Sequence, residues 1–169
     1  MQSIEAGTLR LEPLTTAHAE AMFEILAEPE IHRYLDDPPP PSVEHLRDVY
    51  RRLEARQSPD GSQRWLNWAM RDPEGSLLGY VQATVTASGT AWVAYVLSTR
   101  HWGRGYAGTA VLAMVEHLET SYAVRRFLAT VEAENRRSIR LLERLGFHAA
   151  TPKELEGRDL SSTERLFVR

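Results

Sequence analysis

The chain has 169 residues, 43% hydrophobic and 25% charged, with twenty basic against twenty-three acidic residues for a net charge of −3. That balance fits one domain, residues 1–169, with a real core, and argues against nucleic acid as a partner, because phosphates need a broad basic face. No cysteine is present, which excludes disulfides, thiolate metal sites and cysteine nucleophiles; with no signal-like or bilayer-length apolar run, the expected location is the cytoplasm, with no membrane partner.

In chain order, Leu9-Arg10-Leu11-Glu12-Pro13-Leu14 alternates and reads as a first strand stopped by Pro13. Thr15 or Thr16 can cap a helix to Leu26, with Ala19, Met22, Phe23 and Leu26 on one face. After Asp36-Asp37, four prolines remove amide donors and force an extended path. Ser42 opens a polar helix from Val43 to Arg56 that buries Leu46, Val49 and Leu53. From Trp65 to Leu97 the pattern is an antiparallel meander: Trp65 to Met70, Leu77 to Thr86 and Ala91 to Leu97, with turns at Asp72-Pro73-Glu74-Gly75 and Ala87-Ser88-Gly89-Thr90. Trp65 and Trp68, three apart in a strand, are expected on opposite faces. A helix follows on Ala107, Val111, Met114, Val115 and Leu118, then a strand from Arg126 to Val131, a helix from Asn135 to Leu145, and short strands at Phe147 to Ala149 and Leu166 to Val168. The expected fold is α/β, a mixed and mostly antiparallel sheet with helices on both faces.

Two stretches carry chemistry. In Trp102-Gly103-Arg104-Gly105-Tyr106-Ala107 glycines open a helix, so bare amides and the positive helix end suit a phosphate or pyrophosphate. In Asn135-Arg136-Arg137-Ser138 a carboxamide and a hydroxyl start a second short helix. Together they suggest a nucleotide-like cofactor between two helix starts. Six histidines are scattered without metal-ligand spacing, so no metal is expected.

These residues resemble the GCN5-related N-acetyltransferases (the GNAT superfamily), and more closely their ribosomal-protein alanine acetyltransferase branch. The resemblance rests on Leu9 to Leu14, Glu28-Pro29-Glu30-Ile31, Leu78-Gly79-Tyr80, Tyr95-Val96-Leu97, the glycine turn, and Asn135 to Phe147. It implies transfer of an acetyl group from acetyl-CoA to a primary amine. On that resemblance Gly103, Arg104, Gly105, Tyr106, Ala107, Gly108 and Thr109 would hold the pyrophosphate, and the backbone of Val96 and Leu97 the pantetheine arm. Asn135 would bond the pantetheine amides, and Arg100, Arg104, Arg136, Arg137 and Arg140 are candidates for phosphate contacts.

Ser138, in an Asn-x-x-Ser pattern, would protonate the leaving thiolate, since Leu142 stands where many members carry a tyrosine. The bland alternative is that Ser138 bonds back to its own helix. Trp92 and Thr109 stand where glutamates are common and Ala94 where a glycine is, so no general base is assigned. Asp36, Asp37 and Glu30 could attract a cationic amine or form a plain surface turn. The acceptor is expected to be a peptide amino terminus, with small amines (polyamines, amino acids, aminoglycosides) or a non-catalytic acyl-CoA-binding role as alternatives, and the chain a monomer or homodimer.

Overall fold

A computed structural model describes residues 1–35 and 37–169. Ile4–Ala6 (β1) pairs antiparallel with Leu9–Pro13 (β2). Alternation in β2 buries Leu9 and Leu11 and leaves Arg10 outside. β1 is absent from the sequence reading because three residues with one fully buried side chain, Ala6, show no period.

Thr15 starts a 3-10 turn, Thr16–His18, that runs into Ala19–Leu26 (α1). The turn tightens because His18 Nδ1 accepts from the Thr15 amide at 3.0 Å while Nε2 donates to Glu12 at 2.7 Å. Ser42 accepts from the His45 amide at 3.1 Å and opens Val43–Leu53 (α2). This helix ends before the expected Arg56, which has φ of 60° and cannot continue it. Leu46 and Tyr50 are its buried residues, Val49 and Leu53 being half-buried.

Gln63–Arg71 (β3), Leu77–Thr86 (β4) and Thr90–Leu97 (β5) form the antiparallel meander. Then come Tyr106–Ser121 (α3), Arg126–Glu132 (β6), Arg136–Arg144 (α4), His148–Ala149 (β7), Pro152–Leu155 (α5) and Glu164–Val168 (β8). α5 is a single turn held by a reciprocal Thr151–Glu154 cap, too short for periodicity to show. The strand order is β1-β2-β3-β4-β5-β6-β8-β7, with β5 and β6 parallel and the other neighbours antiparallel.

Helices cover both faces. α3 and α4 lie over Leu11, Trp68, Val81, Val93, Leu97 and Phe127. α1 and α2 lie over Ala69, Tyr80 and Val96 on the other face. Trp68 is fully buried, its indole donating to the Gln2 carbonyl at 3.1 Å, and Trp65 is half-exposed.

Two carboxylates tie the layers. Glu12 accepts from His18 and Arg71, and Glu28 accepts from the Ser98 hydroxyl at 2.6 Å and the Thr99 amide at 2.7 Å. Partial burial pushes both pKa values up, but the hydrogen bonds and nearby cations outweigh it and hold both below the ordinary 4.5. Each group thus binds a proton less readily folded than unfolded. Their stabilisation is complete above the unfolded value and is lost as pH falls through the lower folded ones. Melting temperature should therefore fall as pH drops below 4.5, and Glu28→Gln should flatten that fall while lowering the plateau. An unchanged acid profile in Glu28→Gln would show that Glu28 carries none of it.

Candidate active site

The parallel pairing of β5 with β6 runs from Thr90–Arg126 to Trp92–Leu128, whereas β5 stays paired with β4 as far as Leu97. Beyond Trp92 the two parallel neighbours part and leave a wedge in the sheet. One edge of residues 93–97 is thereby free to offer amides and carbonyls, as an edge strand does.

Which residues offer them follows from the pleat, since successive residues turn their backbone groups to opposite edges. The Ser98 amide bonds to the Leu78 carbonyl at 2.9 Å, and the Val96 carbonyl lies against Gly79. Val96 therefore faces β4, and its side chain packs under α1 and α2. Tyr95 and Leu97 face the wedge. The Leu97 carbonyl accepts from the Trp102 indole at 2.8 Å, leaving its amide for a ligand. Of the expected pair, Leu97 sits at the wedge and Val96 does not; Tyr95 takes its place.

The glycine turn closes the upper side. Gly103 and Gly105 have φ of 76° and 84°, and Gly105 is the residue from which α3 starts. An L side chain would strain either position. The amides of Gly103, Arg104, Gly105, Tyr106, Ala107 and Gly108 make no backbone hydrogen bond to the described residues, while the Thr109 amide bonds to the Gly105 carbonyl at 3.1 Å. A Cβ on Gly103, Gly105 or Gly108 would meet nothing within 4 Å. Free amides, open space and the positive end of a long helix fit a pyrophosphate. Thr109 is turned elsewhere, its methyl lying toward Gly7 in the β1–β2 turn.

Across the wedge, Asn135 Oδ1 accepts from the Ser138 amide at 3.1 Å and caps α4. The carboxamide nitrogen keeps both hydrogens for a ligand. Ser138 Oγ lies 2.7 Å from the Tyr95 hydroxyl, a hydrogen bond from α4 to β5. Burial raises the Tyr95 pKa, and the bond to Ser138 and the charge of Arg144 only partly offset it, so the phenol stays protonated. The Arg137 guanidinium stacks 3.9 Å over the Trp102 ring, a second link from α4 to the glycine turn. Arg104, Arg136 and Arg140 are exposed and form no ion pair among the described residues. Leu142 is buried in the core, and its side chain has no hydroxyl to offer. His101 lies near Tyr106, ring centroids 6.2 Å apart, with a buried Nδ1 that has no partner. Among the described residues no three histidines, aspartates or glutamates gather to hold a metal.

The opposite face of the meander carries three rows. Ala69, Tyr80 and Val96 lie under α1 and α2. Trp65, Thr84 and Trp92 form the far row; Trp92 and Leu160 both pack against Leu128, Leu166 and Val168, and Arg158 lies 5.4 Å over the Trp92 ring. Between them run Asn67, Gln82 and the exposed Ala94, a polar row without a carboxylate. Tyr80 borders it, its pKa pushed up to about 12 by burial and by the charge of Asp37. Asp37 and Glu30 are exposed, and Asp36 lies outside the described residues.

The acetyltransferase (GNAT) domain family model matches residues 8–148. Uncharacterized N-acetyltransferase p20 of Bacillus licheniformis is 26% identical over 149 residues, 87% of this chain and 83% of the relative. Two solved structures share the fold. The ribosomal L7/L12 alpha-N-protein acetyltransferase RimL, solved with coenzyme A, aligns with a TM-score of 0.83 at 18% identity over 99% of this chain and 97% of its own. A chimera of spermidine N-acetyltransferase SpeG from Vibrio cholerae aligns with a TM-score of 0.77 at 17% identity over 96% and 95%.

Proposed function

The chain belongs to the GNAT acetyltransferase family and is an acetyl-CoA-dependent acyltransferase, and from that premise we propose that its acceptor is the amino terminus of a cytoplasmic protein. The observation that carries this reading is the uncharged row of Asn67, Gln82 and Ala94 between α1–α2 and the Trp92 patch. A peptide can lie across an uncharged row that is exposed at Ala94, whereas a polycation calls for carboxylates in the floor. RimL and SpeG share one fold and differ in acceptor, so the acceptor has to be argued from the cleft.

Acetyl-CoA supplies the acetyl group as a thioester. The amides of Gly103 to Gly108 hold the pyrophosphate and the Asn135 carboxamide the pantetheine arm. The Leu97 amide, aimed into the wedge, donates to the carbonyl oxygen as it gains charge. Ser138 gives the sulfur its proton. The amine must arrive neutral, and with no carboxylate in the row its proton leaves through water.

Thiol release from acetyl-CoA, with products weighed by mass spectrometry, tests the acceptor across peptides, polyamines, amino acids and aminoglycosides. Peptides should give the highest kcat/KM, with the acetyl group on the α-amino nitrogen. Preferred acetylation of spermidine would overturn the reading.

A further inference from the structure

We propose that Tyr95 is a positioning residue for acetyl transfer: its phenol donates to Ser138 Oγ, so that the Ser138 hydrogen faces the departing sulfur. This rests on the reading of Ser138 as proton donor to that sulfur. The two oxygens are 2.7 Å apart and share one hydrogen, and which group supplies it decides what Ser138 can offer. A serine hydroxyl has one hydrogen and two lone pairs. Were Ser138 the donor to Tyr95, lone pairs alone would face the sulfur, and two electron-rich atoms would repel.

A phenol is the more acidic hydroxyl and the better donor of the two. Burial of Tyr95 keeps its proton in place, so the direction of the bond does not reverse near neutral pH. Accepting that bond also polarises the Ser138 O–H and strengthens it as a donor. Asn135 fixes the start of α4 through the Ser138 amide, and Tyr95 fixes the side-chain rotamer. In the transfer the C–N bond forms and the C–S bond breaks, its electron pair staying on sulfur. Sulfur takes the Ser138 proton, and the proton released by the amine restores Ser138 through water, so the count closes.

The test needs no acceptor, because free coenzyme A is the probe. A thiolate absorbs ultraviolet light that a thiol does not, so a pH titration reads the pKa of the bound sulfur. A donor aimed at sulfur favours the thiolate and should lower that pKa by about one unit from that of free coenzyme A titrated alongside. Ser138→Ala should abolish the shift, and Tyr95→Phe, which removes one oxygen and keeps the ring, should remove most of it. The double variant should match Ser138→Ala alone, with coenzyme A affinity at neutral pH nearly unchanged, since the thiol form dominates there.

A bound-sulfur pKa in Ser138→Ala as low as the parent's would sink the Ser138 reading and this one with it. A raised pKa in Ser138→Ala but not in Tyr95→Phe would leave Ser138 standing and overturn the role of Tyr95. A further rise on adding Tyr95→Phe to Ser138→Ala would mean that Tyr95 acts on the sulfur by itself, which also overturns it.

Discussion

Gly79→Ala is expected to remove much of the folding stability and the donor site with it. Gly79 pairs with Leu97 at the last rung of the β4–β5 ladder, at φ of 149°. A Cβ there would stand 2.1 Å from the Val96 carbonyl oxygen, 2.9 Å from its carbon and 3.0 Å from the Leu97 Cα. All three are backbone atoms, so no side-chain rotation relieves the clash. Backbone strain and overpacking together should cost about 3–5 kcal/mol, against a total near 5–15 kcal/mol for a domain. A denaturant midpoint shifted by that amount with unchanged slope is the expected result. The functional consequence follows from geometry: any relief moves Val96 and Leu97 away from β4, and with them the amide that faces the wedge. The folded remainder should bind coenzyme A weakly. A variant as stable as the parent, with parental affinity, would show that β5 can shift without harm.

Ser138→Ala should slow turnover about 100-fold or more, as loss of a general acid does, if Ser138 has the proposed role. KM for acetyl-CoA should change little, because in the proposed site the glycine-turn amides and the Leu97 edge would hold the donor without Ser138. Asn135→Ala should behave oppositely, raising KM and losing a helix cap worth about 1 kcal/mol. Steady-state kinetics with the best peptide acceptor separates the two. Full turnover in Ser138→Ala would hand the proton delivery to water.

Much of the fold is legible along the chain because the relevant patterns are local. Leu9 and Leu11 alternate, Ser42 caps α2, and Asp72 to Gly75 makes its turn within four residues. The glycine turn and the Asn135–Ser138 pair are local too. What escapes the sequence depends on register and on distant partners. The point where β5 leaves β6 is set by Trp92 meeting Leu128, and no residue announces it. The phase of β5 against β4 decides that Tyr95, and not Val96, faces the wedge; the Ser98–Leu78 bond supplies that phase from outside the motif. Alternation along Val93, Tyr95 and Leu97 would have placed Tyr95 on the α4 side, but its partner Ser138 is 43 residues away. Arg137 reads as a candidate phosphate contact in sequence; in the structure it stacks on Trp102, a partner 35 residues away that no local pattern shows.

The wedge between β5 and β6, closed by the glycine turn, is the proposed acyl-donor site. Hydrogen exchange of backbone amides with and without acetyl-CoA tests that assignment. Exchange should slow at Tyr95, Leu97 and Gly103 to Gly108, where the amides face the wedge or make no bond to the described chain. Unchanged exchange there, with protection instead at the open basic cavity by Arg125, Arg126, Lys153 and Arg158, would contradict it.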